Sequence, residues 1–278
     1  MEEQKKPTIV LCAPLHDVAT SMTFYMANAI DEYFTKKKYR VIRILNPTAN
    51  KYGFLLSLIY KPALILYLGH GVEDALVGDV VSYYSGFPFV HKRWSRWLKN
   101  TIVFTYACLS GKDLGREAIR NGALAYFGAK DVMFAALNLP EHDYLNDFID
   151  IWSSGVIALL EGKTTGEAYD IIQSRGEEYL AKYEKMMEDK DKYPNADWFY
   201  YALRWNLDVY QLLGDENATI YEASGNIPGI MDLVLSMNET EALITTTIVG
   251  GAVGGIVSEV AKEIYKGYKK AYQETKTK

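Results

Sequence analysis

The sequence predicts an α/β fold of three layers: a mainly parallel sheet with helices on its faces, followed by a helical C-terminal region. Two patterns predict it. Over residues 8–127, short apolar runs of strand length alternate with helix-length amphipathic stretches, which is the order of a parallel sheet covered by helices. Beyond Pro140 the chain turns mostly helical. At 278 residues, 49% hydrophobic and 23% charged, the composition is that of an ordinary globular protein. A domain of this size buries about 70% of its unfolded surface, so it needs no covalent staple.

Residues 8–13 (TIVLCA) are a near-continuous apolar run and hence a buried central strand. Residues 17–38 follow as a helix, with Met22, Met26, Ile30 and Phe34 on one stripe. Residues 39–45 (YRVIRIL) alternate and form the second strand, and residues 50–60 read as a helix. The third strand is 63–68 (ALILYL), the fourth 102–106 (IVFTY) and the fifth 123–127 (ALAYF), with a short helix over 112–120. Their expected order in the sheet is 2-1-3-4-5. Residues 71–100 are long for a crossover and read as a small hairpin plus a helix ending near Lys99. Helices are expected over 143–160, 165–190 and 196–210.

The domain is expected to span 1–221, leaving 222–278 as a tail. Residues 242–258 (ALITTTIVGGAVGGIVS) are 17 uncharged residues with glycines in overlapping GxxxG pairs, and residues 260–278 are lysine-rich. GxxxG spacing favours close helix packing in lipid, but a span needs about 20 apolar residues. The segment therefore reads as a membrane contact, as a buried or self-associating helix, or as a flexible tail.

A net charge of -5 argues against a nucleic-acid partner. The two cysteines, Cys12 and Cys108, are too few for a disulfide scaffold. The expected strand order separates them by two strands, about 9–10 Å, beyond bridging range. Residues 1–6 are charged and the apolar run that follows is short, so no secretory signal is visible. The compartment stays open between cytoplasmic and membrane-associated. GxSxG, Walker and GxGxxG motifs are absent from the sequence, which leaves serine-hydrolase and nucleotide-binding readings without support.

In open parallel sheets, reactive groups gather at the carboxyl ends of central strands. The third strand runs into Gly69-His70-Gly71, and the fourth into Ala107-Cys108-Leu109-Ser110-Gly111. On neighbouring strands, His70 and Cys108 would share one rim of the sheet. A thiolate attacks in acyl transfer, and an ordinary thiol needs a nearby imidazole to supply it. The glycines beside His70 are expected to let a substrate approach the backbone. A metal reading from Cys12 and His16 lacks ligands, because His91 and His142 lie elsewhere in the sequence.

The strand–GHG and strand–ACLSG order resembles the caspase-like superfamily of cysteine peptidases (clan CD). Residues 98–111 (LKNTIVFTYACLSG) and 210–216 (YQLLGDE) are similar to segments of its gingipain branch. The resemblance covers roughly residues 8–221. It implies a caspase-like sandwich and a cysteine endopeptidase acting on peptide or protein substrates without a cofactor. It also implies Cys108 as nucleophile, His70 as catalytic histidine, and the Gly71 and Cys108 main-chain N–H groups as the oxyanion hole. In that superfamily the end of the first strand often shapes specificity. Asp17 there reads either as a partner for a basic side chain or as a helix N-cap, and Asp79 is a second specificity candidate. The competing reading is a catalytically silent scaffold or membrane-tethered interaction protein working through residues 242–278.

Overall fold

The computed structural model describes residues 6–46, 48–80 and 86–225. The chain divides into two units, Met1–Asn226 and Ile227–Lys278, and the described residues all lie in the first. Segment 242–258, with the membrane and self-association readings attached to it, lies outside the described residues. Among the described residues, no helix is long and apolar enough to cross a membrane.

In chain order the elements are β1 (Thr8–Ala13), α1 (Val18–Lys36), β2 (Arg40–Leu45), α2 (Lys51–Leu58), β3 (Leu64–Leu68), β4 (Gly71–Val72), β5 (Ala75–Val80) and β6 (Gly86–His91). A 3₁₀ segment, Lys92–Leu98, leads to β7 (Ile102–Tyr106), α3 (Asp113–Arg120) and β8 (Ala125–Ala129). The two-residue pair β9 (Asn138–Leu139) and β10 (His142–Asp143) precedes α4 (Tyr144–Leu160), α5 (Thr165–Met186), α6 (Ala196–Val209) and β11 (Tyr210–Gly214).

The main sheet has the order β11-β8-β7-β3-β1-β2. Its pairs are parallel except β8 with β11, which is antiparallel. The expected order of five strands is therefore the one observed, as β2-β1-β3-β7-β8. Alternate residues of each strand point to opposite faces. Ile9, Leu11, Leu66, Phe104 and Phe127 join the α1 stripe (Met22, Met26, Ile30, Phe34) and residues of α4, α5 and α6 in one core. Full burial of each such side chain contributes about 1.5–3 kcal/mol. Cys12 and Tyr67 take the other register and are fully buried. Tyr67 stacks on Phe89 of β6, with ring centroids 5.5 Å apart.

Three local departures have physical causes. The fifth strand starts at Ala125 rather than 123, because Ala123 closes the helix before it. Gly122 (φ +92°) and Ala123 donate backbone bonds to Ile119 and Ala118, a Schellman ending that needs glycine's left-handed freedom. The stretch after β3 holds a three-stranded sheet, β4-β5-β6, and a 3₁₀ segment where a hairpin and a helix are expected. The helix expected to reach residue 210 stops at Val209, and Tyr210 turns directly into the edge strand β11 (φ -74°, ψ 139°) with no glycine or proline to mark the change.

Candidate active site

β3 and β7 run side by side, with Leu68 opposite Tyr106. At their ends the Gly69 N–H donates to the Tyr106 carbonyl at 3.1 Å, so the two chains leave the sheet together. The glycines beside His70 have a packing reason. A Cβ on Gly69 would lie 2.9 Å from Pro14 Cγ, and one on Gly71 would lie 2.4 Å from the Cys108 carbonyl oxygen. The space they spare is filled by the protein itself, which replaces the expectation that it serves substrate approach. The His70 carbonyl accepts bonds from Tyr67 Oη (2.8 Å) and from the Val77 N–H (3.0 Å), which tie the histidine turn to β5.

The His70 ring is held by Asp17, whose Oδ2 lies 2.6 Å from His70 Nε2. Asp17 is the N-cap of α1 in a reciprocal capping box. Its Oδ1 accepts from the Thr20 N–H and hydroxyl, both at 2.8 Å, and its own N–H donates to Thr20 Oγ1 at 2.9 Å. Partial burial pulls the Asp17 carboxyl upward, but the Thr20 N–H, the His70 ring and the Thr20 hydroxyl outweigh it and hold it at about 2. It is therefore ionised at neutral pH. An ionised carboxylate can only accept, so Nε2 carries the proton, and in the neutral form of the ring the lone pair sits on Nδ1. Of the two readings for Asp17, the N-cap is the one seen, and its second oxygen is committed to His70.

Cys108 sits in the turn after β7. Leu109 adopts a left-handed conformation (φ +58°), and its N–H donates to the Asp131 carbonyl at 3.0 Å. The buried Ser110 hydroxyl bridges Thr105 Oγ1 (2.8 Å) and the Ala107 carbonyl (3.0 Å). Gly111 is pressed between Gln211 and Gly128, where a Cβ would approach to 2.6 and 3.0 Å. The ACLSG segment is thus shaped residue by residue to hold one cysteine at the rim. The Met133 N–H donates to Cys108 Sγ at 3.3 Å, and Sγ lies 3.7 Å from the Met133 carbonyl oxygen. Cys108 is part-exposed, whereas Cys12 is sealed, and no disulfide joins them.

His70 and Cys108 line one pocket of about 90 Å³, together with Met22, Tyr106 and Met133. Because Val77 N–H bonds to the His70 carbonyl, residues 70 and 77 form a hydrogen-bonded pair of the β4–β5 ladder. The next pair, Gly71 and Leu76, is then the non-bonded kind, and the Gly71 N–H points away from β5. Among the described residues the Cys108 N–H donates to no protein acceptor. Asp79 lies in β5, but its side chain falls outside the described residues.

The sequence marks Asp17 but does not pair it with His70. The signal existed, since the order 2-1-3 sets the end of β1 beside the end of β3. The sequence does not mark Asn206, a fully buried residue of α6 that clamps the loop carrying Met133. Asn206 Oδ1 accepts from the Phe134 N–H and its Nδ2 donates to the Phe134 carbonyl, both at 2.8 Å. No motif in the sequence points to that clamp. His16 is exposed while Cys12 is sealed, so those two do not make a pair. His16 instead converges with Asp17 and His70.

No known family profile matches the sequence, and no curated protein matches it. Among solved structures, the chain is similar to the Arg-specific cysteine proteinase gingipain R (RgpB), at 15% identity and a TM-score of 0.46 over 80% of this chain and 48% of that one. It is also similar to the complex of Porphyromonas gingivalis RgpB pro- and mature domains, at 14% identity and a TM-score of 0.45 over 81% of this chain and 49% of that one. The chain spans about half the length of the solved structures it matches.

Proposed function

We propose that this chain is a cysteine endopeptidase in which Cys108 is the nucleophile and His70 the general base and acid. The observation that carries the reading is the convergence of a part-exposed thiol and an imidazole, one nitrogen pinned by a carboxylate, on a single pocket at the ends of adjacent parallel strands. The GHG and ACLSG segments of the sequence support it by their resemblance to the caspase-like peptidases.

In the reaction, His70 Nδ1 takes the thiol proton and Cys108 Sγ attacks the scissile carbonyl carbon. The tetrahedral oxyanion is met by the N–H groups of Cys108 and Gly71. His70 then gives its proton to the departing amine, leaving a thioester. Water, deprotonated by His70, hydrolyses the thioester and restores the thiol. Asp17 is a positioning residue: it fixes the ring and keeps the Nε2 proton in place, so that Nδ1 is the nitrogen free to act.

A second reading, the catalytically silent scaffold, is favoured by the pocket's size. About 90 Å³ is well below the roughly 300–1,000 Å³ of ordinary ligand pockets. Acyloxymethyl ketone probes bearing Arg, Lys, Asp or Asn separate the two. A peptidase labels with at least one probe, and the label is lost in Cys108→Ala. Absence of labelling with all four, together with no cleavage of unfolded protein, supports the scaffold.

A further inference from the structure

We infer that His16, Asp17 and His70 form a binding site for a divalent transition-metal ion of the Zn²⁺ class, and that the ion turns the rim histidine off. One ligand atom from each residue lies within 4.8 Å of the others. In a tetrahedral zinc site with bonds of about 2.0–2.1 Å, neighbouring ligand atoms stand about 3.3–3.4 Å apart. The cluster therefore reaches coordination geometry by small side-chain rotations. Two imidazoles and one carboxylate make a donor set suited to zinc, and they leave a fourth position for water.

The surroundings favour the same assignment. The capping box holds Asp17 in place. The His16 N–H donates to Thr20 Oγ1 at 2.9 Å, so the backbone under both residues is tied to the first turn of α1. The His16 and His70 rings lie 5.5 Å apart with their planes tilted by 41°, so they are side by side but not stacked. His16 and Asp17 are exposed and His70 is half-buried, which lets an ion enter from solvent. The positive end of the α1 dipole opposes a cation here, and the ionised Asp17 side chain offsets that.

Binding has a consequence for the chemistry, which rests on the peptidase reading. An ion on His70 Nε2 takes the position of the proton shared with Asp17. The neutral ring then carries its one proton on Nδ1, and no lone pair is left to receive the Cys108 proton. Zinc thus acts as a reversible inhibitor without touching the sulfur.

The test uses the full chain and Zn²⁺ alone, measured by competition with a chromophoric chelator. The expected result is one equivalent bound by the wild type, binding weakened at least about tenfold in His16→Ala, and unchanged binding in Cys108→Ala. His16→Gln stands in if the alanine variant loses its circular dichroism spectrum. Absence of binding by the wild type, wild-type affinity in His16→Ala, or loss of the site in Cys108→Ala would each overturn the assignment. Where probe labelling is detected, Zn²⁺ slows it in the wild type, a chelator restores it, and His16→Ala is insensitive. Tight binding without slowed labelling overturns the switch. A protein that no probe labels defeats the peptidase reading, while the binding measurements still decide the metal site.

Discussion

Gly71→Ala tests the geometry on which the site is built. The added methyl would stand 2.4 Å from the Cys108 carbonyl oxygen, whereas ordinary contact begins at 3.4 Å. That oxygen is main chain, so a side-chain rotation cannot relieve the clash and the two turns must part by about 1 Å. Overpacking of this kind costs about 1–3 kcal/mol of stability. For a domain near 220 residues each kcal/mol lowers Tm by about 2–4 °C. A displacement of about 1 Å in a reacting group costs about 100-fold in rate, equivalent to about 2.7 kcal/mol of barrier. The assay is the second-order rate of probe labelling at Cys108, measured beside thermal unfolding. Gly162→Ala is the control: it places alanine at φ +90°, but its Cβ meets only the Tyr221 ring at 3.5 Å, outside the pocket. It should lower Tm and leave labelling intact. Gly71→Ala with a wild-type labelling rate and an unchanged Tm would refute the close approach of the two strand ends.

Three further outcomes follow from the same contacts. Iodoacetamide should modify Cys108 and spare the sealed Cys12 in any folded form, so the informative comparison is His70→Ala; loss of the base slows Cys108 alkylation by about 100-fold or more, and an unchanged rate counts against the dyad. In Asp17→Asn, asparagine still caps α1 as well as aspartate does, but with its oxygen on Thr20 its amide N–H faces Nε2 and drives the His70 proton to Nδ1. Tm should hold while labelling falls by up to about 10⁴-fold, and an unchanged labelling rate would show that Asp17 serves only as a cap. Asn206→Ala strands the Phe134 N–H, while the Phe134 carbonyl keeps its 2.8 Å bond from Tyr106 Oη, so the cost is about 1–3 kcal/mol for one buried group; a Tm within 1–2 °C of wild type would show that the Met133 loop does not depend on this clamp.

Most of the parallel sheet was legible because its strands are buried on both faces and so appear as unbroken apolar runs, as in LILYL and IVFTY. The edge strand β11 was not. Its residues follow α6 without a breaker, and only pairing with β8 makes Tyr210–Gly214 extended. That strand also feeds the site: the Tyr210 hydroxyl donates to the Thr105 carbonyl at 2.9 Å, and Gln211 Nε2 donates to the Gly111 carbonyl at 3.1 Å. The small sheet β4-β5-β6 was hard to read for a similar reason. Its strands are short and mixed in composition, and its anchor is the buried Tyr67 hydroxyl, which reaches the His70 and Val77 carbonyls at 2.8 and 2.5 Å.

By itself the sequence determined which residues end adjacent buried strands, because hydrophobic period and the crossover rule act locally and with one hand. That was enough to bring His70 and Cys108 to one rim. Only the tertiary structure decided which nitrogen of His70 is pinned, by which carboxylate, and that His16 stands beside them. Those outcomes depend on side chains from separate elements meeting within hydrogen-bond range. Local pattern carries no information at that scale, since Asp17 reads as the same N-cap whether or not a histidine waits across the strand end.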